Sequence, residues 1–570
     1  MKRASWTFLF ISSILAGTLA AQTGASKPED KNVDKEKDDG IPVTSELVRK
    51  SCGGCHSIDD KQRMSRISYR RTTPEGWEHT IKRMVALNGV KLEPAAAREI
   101  LQYLASNHGL APDEARPASF EAERRLIEYH YTADKDTEGT CTKCHSFGRV
   151  LQQRRTKREW ELLVAMHRGY YPYSDFQAFR RMGPVQTTPG PDGKPPDNRQ
   201  PMDKAISHLS GVFPLKTPQW SAWSANMRTP KLEGRWAVTG YQAGKGPIYG
   251  DFTIEPGPGH PGEFRTHAKL TYARSGAEMT RDGSSVVYTG YQWRGRSKTA
   301  GDEKGAAMRE VIFVDPNMRE MTGRWFNGAY DENGIDVKLV RVGSDPLVLG
   351  LERKALKAGT TIQAKIYGAN LPTKLDVSAV DFGQGVTVKR VVSATPQLAV
   401  VELEIAKDAK PGLRDVFVAG SPASGAAVVY DKIDAIKVRP QANMARLGGA
   451  NFQKGYAQFE AFGYTHGPDG KPDTPDDIEL GPVDVSWSIE EFAATYGDDD
   501  KDFVGKIDQS GFFTPNIDGP NPKRHNGTNN WGDVWVVASF KGDPKPLRAR
   551  AHLLVTVPLY IRYDTPEVAP

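Results

Sequence analysis

The sequence predicts a multidomain protein in which a helical region precedes a series of all-β domains. The chain has 570 residues, and a prior of roughly 150 residues per domain favours about four domains. Apolar residues recur with a helical period up to about residue 230, whereas after Lys231 they alternate with polar residues, which is typical of strands.

The composition excludes two classes of protein. The mean hydropathy is −0.54, and beyond the N-terminus no apolar run approaches the length of about 20 residues that a membrane-spanning helix needs. The net charge is only +6, from 76 basic and 70 acidic residues, so nothing in the composition supports binding to nucleic acid. We therefore expect neither a membrane span nor a nucleic-acid partner.

The N-terminal residues 1–21 have the pattern of a secretory signal peptide. Lys2 and Arg3 precede an apolar stretch, and small residues follow at Ala20 and Ala21, where cleavage is expected. The alternative is an uncleaved anchor, but the stretch is short for a span. Residues 22–40 are charged and nearly free of apolar groups, which predicts a flexible leader. Both features indicate a location outside the cytoplasm.

All four cysteines fall in two copies of the sequence C-x-x-C-H, the attachment sequence of c-type haem. Two thiols on one helical turn can form thioethers with the haem vinyl groups, and the adjacent His can bind iron. A redox pair or a zinc site is the alternative, but neither requires the adjacent His. The copies are Cys52, Cys55 and His56, then Cys141, Cys144 and His145.

The helical region, residues 41–230, contains a repeat with a first half, 41–112, and a second half, 113–230. Helix starts are indicated by Ser or Thr followed by Pro or a charged residue. A Gly- and Pro-rich insertion at about 183–201 lies in the second half. The predicted helices run from Thr44-Ser45-Glu46 into Cys52, from Thr73-Pro74 onward and from about Glu93-Pro94 to Asn107 in the first half, and from Ser119 to Tyr131, from Thr156-Lys157 onward and from Asp203 to Leu209 in the second.

The repeat also locates candidates for the second iron ligands. When Trp77 is aligned with Trp160, Met84 and His167 take the same place, two turns further along the same helical face. Both residue types bind haem iron. The alternatives are that Met84 is ordinary core and that His167 is a surface residue. The rival ligands are Met64, His79 and His108 for the first haem, and His130, Met166, Met182, Met202 and His208 for the second.

The pattern of residues 231–345 predicts a barrel or a sandwich of seven or eight short antiparallel strands. Its opening Gly-Arg-Trp resembles the start of a lipocalin-type barrel, and either a ligand cavity or a packed interior is compatible with the pattern. The predicted strands are 234–238, 250–254, 264–270, 285–291, 309–314, 321–326 and 337–342.

Residues 346–440 predict an immunoglobulin-like β-sandwich with strands at 361–367, 386–391, 398–405 and 415–419. Residues 441–570 predict a fourth region that is also β, with strands at 483–489, 531–538 and 553–557. The fourth region contains two acidic loops that are candidates for calcium, although Phe503 stands where the calcium-loop pattern requires Gly, which favours solvated turns. The loops contain Asp469, Asp473, Asp476 and Asp477, and Asp498, Asp499, Asp500 and Asp502.

Three basic clusters in the helical region are candidates to guide an acidic electron acceptor, with solvated faces as the alternative. They are Lys61–Arg63, Arg70–Arg71 and Arg154–Arg155.

The two C-x-x-C-H repeats followed by three β regions resemble the large subunit of quinohemoprotein amine dehydrogenase over essentially the whole mature chain. The resemblance implies an α-helical dihaem cytochrome c domain followed by a lipocalin-like barrel and two immunoglobulin-like sandwiches. It implies two covalent haem c groups, held by the four cysteines, with His56 and Met84 on the first iron and His145 and His167 on the second. No residue of this chain is implied to be catalytic.

The family further implies a periplasmic heterotrimer. Its other members would be a β-propeller subunit and a small subunit that carries cysteine tryptophylquinone and oxidises primary amines to aldehyde and ammonia. Electrons would then pass from the quinone to the bis-His haem, to the His/Met haem and to a soluble acceptor, a cytochrome c or a cupredoxin. The alternatives are a free-standing dihaem carrier, a haem peroxidase or the cytochrome subunit of another dehydrogenase.

Overall fold

The computed structural model describes residues 39–118, 131–259, 261–302, 304–305, 307–327, 334–449, 452–493, 497–542 and 545–558. Every helix and strand reported below belongs to one compact unit, Gly40–Pro570. The predicted signal peptide, residues 22–38 of the predicted leader and residues 119–130 of a predicted helix lie outside the described residues. Among the described helices, none combines the length and apolar character that crossing a bilayer requires.

The first half of the helical region contains the three predicted helices. The Ser45 hydroxyl caps the first helix by accepting a hydrogen bond from Val48 N, and Thr73 caps the second in the same way from Gly76 N. Gly89, with φ of 68°, ends the second helix in the left-handed conformation that suits glycine. The elements are α1 (Glu46–Cys52), β1 (Arg70–Thr72), α2 (Pro74–Asn88) and α3 (Pro94–Asn107).

The second half repeats this order with additions. Thr156 caps the helix equivalent to α2, and the short last helix predicted at 203–209 is present but longer. The predicted insertion contains neither helix nor strand from residue 183 to 200. The elements are α4 (Pro112–Ala115), a 3-10 turn (Arg116–Ala118), α5 (Lys135–Cys141), α6 (Gly148–Leu151), β2 (Gln153–Arg155), α7 (Lys157–Tyr170), a π turn (Asp175–Phe179), α8 (Pro201–Val212) and α9 (Pro218–Asn226).

A two-stranded antiparallel ribbon, which the sequence did not predict, joins the halves. Strand β1 pairs with β2 so that Arg71 lies opposite Arg154 and Arg70 lies opposite Arg155. Arg71 and Arg154 are also related by the offset that aligns Trp77 with Trp160. The pairing is therefore symmetric, and the halves meet about a local two-fold relation.

The region from residue 231 forms a closed barrel of eight antiparallel strands. Large apolar side chains fill its interior, including Trp236, Trp293, Trp325 and Phe252, all nearly inaccessible to solvent, so the interior is packed. The strands are β3 (Gly234–Gln242), β4 (Gly246–Pro256), β5 (Glu263–Tyr272), β6 (Glu278–Tyr288), β7 (Gln292–Thr299), β8 (Met308–Val314), β9 (Glu320–Asn327) and β10 (Gly334–Arg341).

The prediction of a strand at 285–291 is wrong at its C-terminal end, because β6 ends at Tyr288. The chain turns back at Thr289 and Gly290, which have φ of 56° and 76°, and β7 begins directly afterwards. Because apolar residues continue through this tight turn, the alternation concealed the boundary between two strands.

The third region consists of two four-stranded sheets around one core. The four strands predicted here are present, and further short strands complete the sheets. The elements are β11 (Leu347–Leu351), β12 (Ala355–Lys357), β13 (Thr361–Ala369), a 3-10 turn (Val377–Ala379), β14 (Val380–Asp381), β15 (Val386–Ala394), β16 (Leu398–Ile405), β17 (Gly412–Val418) and β18 (Ser421–Tyr430).

The fourth region is also mostly β, with one four-stranded sheet and two three-stranded sheets. The strand predicted at 483–489 begins later, at Ser486. The elements are β19 (Ala435–Arg439), β20 (Ala442–Arg446), β21 (Ala457–Gln458), β22 (Glu460–Thr465), β23 (Ile478–Pro482), β24 (Ser486–Glu491), α10 (Asp500–Phe503), β25 (Gly505–Ile507), β26 (Phe512–Pro515), a 3-10 turn (His525–Gly527), β27 (Gly532–Phe540) and β28 (Leu547–Thr556).

The barrel contacts each of the other three regions. Tyr291 Oη donates to Leu110 O of the helical region at 2.9 Å. Tyr249 stacks on Tyr367 of the third region, with ring centroids 4.8 Å apart. Tyr241 Oη donates to the Glu460 carboxylate of the fourth region at 2.9 Å. The helical region is thus held against a β scaffold through specific polar and aromatic contacts.

Candidate haem centres

The first attachment motif lies where α1 ends. Cys52 is the last residue of the helix, and His56 N donates back to Cys52 O at 3.0 Å, so the motif continues as a tight turn. His56 Nδ1 lies 2.8 Å from Ser65 O. Because a carbonyl oxygen only accepts, Nδ1 carries the proton and Nε2 keeps the lone pair that a metal needs.

The second attachment motif repeats this arrangement at the end of α5. Cys141 is the last residue of the helix, and His145 Nδ1 donates to Ser146 O at 2.8 Å. Burial lowers the pKa of His145 to about 4, and the charges of Arg149 and His167 act in the same direction. The imidazole is therefore neutral at ordinary pH, as metal binding requires.

None of the four cysteines in the two motifs forms a disulfide. Burial raises the pKa of Cys52 and Cys144, and it raises the pKa of Cys141 to about 12. A redox C-x-x-C depends on a thiol whose pKa is lowered. Burial at Cys52, Cys141 and Cys144 thus opposes the lowered thiol pKa that a redox pair needs.

Met84 and His167 lie at equivalent positions of equivalent helices. Each follows by two turns a Trp that is 2% exposed, Trp77 in α2 and Trp160 in α7. His167 Nδ1 donates to Leu163 O at 2.8 Å, which again leaves Nε2 as an acceptor. Both side chains are partly accessible. The repeat thus places one more candidate donor in each half, and iron ligation by Met84 and His167 stays a prediction.

Several rival ligands are poorly placed. Met64 and His108 are fully buried and Met202 is 5% exposed, so their donor atoms are covered by protein. His208 contacts Tyr131 Oη and Asp134 through its two ring nitrogens. His130 lies outside the described residues, while His79, Met166 and Met182 have accessible side chains. Accessibility favours Met84 over Met64 and His108 in the first half, but it excludes neither His79 there nor Met166 and Met182 in the second half.

The side chains around the candidate ligands fit a porphyrin. Val85 and Leu87 beside Met84 are 44% and 61% exposed, and the Phe179 ring centroid lies 6.2 Å from that of His167. Apolar and aromatic groups next to imidazole and thioether donors are the surroundings that a haem macrocycle needs. Together with the two thiol pairs, the chemistry of both halves fits covalent haem.

The sequence predicts that the three basic clusters either guide an acceptor or form solvated faces. Two of them, Arg70–Arg71 and Arg154–Arg155, are buried instead. Arg71 is fully buried and Arg70, Arg154 and Arg155 are 3–8% exposed, because they meet where the halves join through the ribbon. Side chains covered in this way cannot guide an acceptor. In the remaining cluster, Lys61–Arg63, the Lys61 side chain is exposed.

The acidic loop at Asp498–Asp500 is neutralised by an arginine from another part of the chain. The Arg524 guanidinium donates to Asp499 Oδ1 at 2.9 Å, bonds to Asp500 and lies 3.9 Å from Asp498. These three aspartates are close enough together to hold an ion, but the guanidinium supplies the positive charge itself. The structure thus offers no support for calcium there.

Four domain families match the chain, and all belong to one subunit of one enzyme. The haem-binding domain of the quinohemoprotein amine dehydrogenase alpha subunit matches residues 43–183, and its domains II, III and IV match 229–342, 345–431 and 436–568. The chain belongs to the quinohemoprotein amine dehydrogenase alpha-subunit family. It is therefore a subunit of an oxidoreductase with a haem-binding domain.

Solved structures that partly resemble this alpha-subunit chain include a redesigned β-barrel and a protocadherin. A redesigned β-barrel is 14% identical and covers 20% of this chain and 92% of its own, with a TM-score of 0.17. A protocadherin gamma is 11% identical and covers 44% of this chain and 75% of its own, with a TM-score of 0.15. Such scores carry no argument about fold or function. A search of curated proteins found no match.

Proposed function

We propose that this chain is the dihaem electron-transfer subunit of a periplasmic quinohemoprotein amine dehydrogenase. The observation that carries the proposal is the paired arrangement in the helical region. Each half has a C-x-x-C-H motif at a helix end, with the His Nδ1 bound to a carbonyl oxygen. Each half also has a second candidate donor at the same place of an equivalent helix.

The roles of the residues follow from their donor atoms. The four cysteines attach two haems covalently, with His56 and Met84 as axial ligands in the first half and His145 and His167 in the second. Bound haem supplies reversible one-electron transfer at iron. Because a thioether ligand raises the reduction potential relative to a second imidazole, the second half accepts electrons and the first half delivers them.

The amine-oxidising site lies in a partner under this proposal. Conversion of a primary amine and water to aldehyde and ammonia releases two electrons and two protons, and the cysteine tryptophylquinone of the small subunit would supply the electron-accepting group. The alpha subunit then conducts the electrons singly to a soluble cytochrome c or cupredoxin. The β-propeller subunit completes the complex, and the N-terminal signal pattern supports a periplasmic location.

The β regions serve as the docking platform in this proposal. We propose a lipocalin-like type for the barrel and an immunoglobulin-like type for the two following regions, which the antiparallel strands and paired sheets support. A packed barrel interior favours a structural role over storage of a ligand.

Stopped-flow mixing tests where catalysis lies. Purified, partner-free protein with its haems attached is mixed with a primary amine, and haem reduction is followed by absorbance. We expect no amine-dependent reduction until the quinone-bearing subunit is added, whereas a chemical reductant reduces both haems directly. Prompt reduction by the amine alone would place catalysis on this chain and overturn the proposal.

A further inference from the structure

The two faces of the ribbon differ in how their arginines are neutralised. On one face, all five donor positions of Arg71 are filled, by both Glu114 oxygens, Gly109 O, Leu215 O and Thr217 Oγ1. Arg154 shares the same carboxylate, with Nε 3.1 Å from Glu114 Oε1. This face is a complete network of protein groups.

The opposite face carries an excess of positive charge. Arg70 and Arg155 project from it, and Arg66 and Arg83 lie nearby. We call the surface formed by Arg66, Arg70, Arg83 and Arg155 the donor-rich face. Among the described residues, the carboxylate of Glu159 lies against it, 3.0 Å from Arg66 Nε and 3.5 Å from Arg155. Burial, and then the charges of Arg155 and Arg83, hold the pKa of the Arg70 guanidinium well below its usual range.

Three buried donors at this face have no acceptor. They are Arg70 Nε, Arg83 Nε and Trp160 Nε1, and the Arg70 and Trp160 residues are only 8% and 2% exposed. Leaving such groups unpaired costs free energy, and a buried charge is normally paired. The group that fits is therefore an anion that only accepts hydrogen bonds.

The donor-rich face lies against the two helices, α2 and α7, that carry the candidate second iron ligands, here called the distal ligands. The Arg70 guanidinium stacks on Trp77, 4.9 Å from the ring centroid, and Met84 follows Trp77 by two turns. The Arg155 guanidinium stacks on Trp160, 5.8 Å from the ring centroid, and His167 follows Trp160 by two turns. Arg83 directly precedes Met84. The unpaired donors thus lie next to the helices that hold the distal ligands.

We propose that the donor-rich face binds the propionate carboxylates of the haems and that Arg83 is a positioning residue for them. This inference rests on the proposed function, because haem c is the group that brings two carboxylates into each half. Carboxylates satisfy the orphaned donors and neutralise the excess charge. Positive charge near a haem favours the reduced, less positive iron and so raises its reduction potential.

The test uses the full chain with its haems attached. Arg83→Gln removes the charge, and since Arg83 Nε has no protein acceptor, the change breaks no hydrogen bond of that atom. Arg83→Lys restores the charge, and Arg158→Gln is the matched control, because Arg158 lies on α7 with a side chain 66% exposed and paired with Glu161. Haem content per chain and the midpoint potential of each haem are measured in phosphate and in phosphate-free buffer.

We expect Arg83→Gln to lower the ratio of reduced to oxidised haem at a fixed potential by about tenfold for one haem, which corresponds to about 59 mV. Arg83→Lys recovers most of this loss, and Arg158→Gln stays close to the wild type. These shifts are the same in both buffers, because the carboxylates belong to the haem.

Two results would overturn the inference, and a third would overturn the proposed function. A shift for Arg83→Gln no larger than that for Arg158→Gln overturns the inference, and a shift that disappears without phosphate assigns the face to a free anion and overturns it as well. Fewer than two covalent haems in the wild type contradicts the proposed function itself. Haem content therefore distinguishes the failure of one proposal from the failure of the other.

Discussion

The two halves of the helical region share one order of elements but differ in what those elements carry. In both, a helix ends in an attachment motif, a ribbon strand follows, and a Thr-capped helix holds a buried Trp and a second candidate ligand. The candidate ligand is Met84 in one half and His167 in the other. Trp77 Nε1 donates to His108 O at 3.0 Å, whereas Trp160 Nε1 has no protein acceptor. The repeat thus preserves positions, while individual residues set the chemistry at each position.

The largest expected effect is the loss of one half's cofactor. Replacing Cys141 and Cys144 by Ala should halve the covalent haem per chain, because the thioether bonds of the second half cannot form. Haem content after denaturation, measured by the pyridine haemochrome spectrum, checks this. The matched variant at Cys52 and Cys55 should lose the same amount but leave a spectrum of the other ligation type. Unchanged haem content would show that Cys141 and Cys144 do not attach a haem.

The next effect separates the two ligands. Met84→Ala should abolish the spectroscopic signature of thioether-bound iron and leave the bis-His centre intact. His167→Ala should abolish the bis-His signature and leave the thioether-bound centre intact. Absorbance and magnetic circular dichroism of the oxidised protein report both. Met64→Ala is the control, and loss of the thioether signature in that variant would show that the repeat alignment does not identify the ligand.

A buried ion network at the contact between the halves should contribute measurably to stability. Glu114→Gln leaves the buried Arg71 and Arg154 without their carboxylate, and we expect a loss of about 3–5 kcal/mol in the free energy of unfolding. Denaturant titration measures it. Glu161→Gln, which disturbs only an exposed ion pair, should cost less than about 1 kcal/mol. Equal effects of the two variants would contradict a buried junction.

The same carboxylate predicts a pH dependence. Burial alone would raise the pKa of Glu114, but hydrogen bonds and charge from Arg71, together with the charge of Arg154, lower it below 4.5. A carboxyl with a lowered pKa in the folded state contributes stability above its unfolded pKa and loses it as the pH falls. Unfolding free energy should therefore decline below about pH 4.5, and Glu114→Gln should reduce that decline.

The smallest effect tests the equivalence of α2 and α7. Thr73→Ala and Thr156→Ala each remove a side-chain cap and should cost about 1 kcal/mol. Thr73 Oγ1 also donates to Gln152 Oε1 at 3.3 Å, so its loss should be the greater of the two. Thermal unfolding of both variants, with Thr156→Ser as the control that keeps a capping hydroxyl, checks the order. A negligible effect at either site would mean that the caps do not hold these helices.

The predictable parts of the fold are those with local signals. Ser45, Thr73 and Thr156 cap their own helices, so the starts of α1, α2 and α7 could be predicted from a few neighbouring residues. The strand β7 was missed because Thr289 and Gly290 turn the chain within an apolar run. The ribbon was missed because its strands are three polar residues long and pair across about 80 positions.

The sequence by itself determined the chemistry that this alpha-subunit chain can carry. Two C-x-x-C-H motifs predict covalent attachment, because the thiols and the imidazole must be neighbours along the chain, and the repeat predicts where a second donor recurs. Only the tertiary structure decided which arginines are buried and which of them are paired. Arg70 and Arg71 are adjacent in sequence yet project to opposite faces of a strand. Glu114 neutralises one of them, while the other keeps an unpaired donor, because burial and charge pairing depend on partners that are distant in sequence.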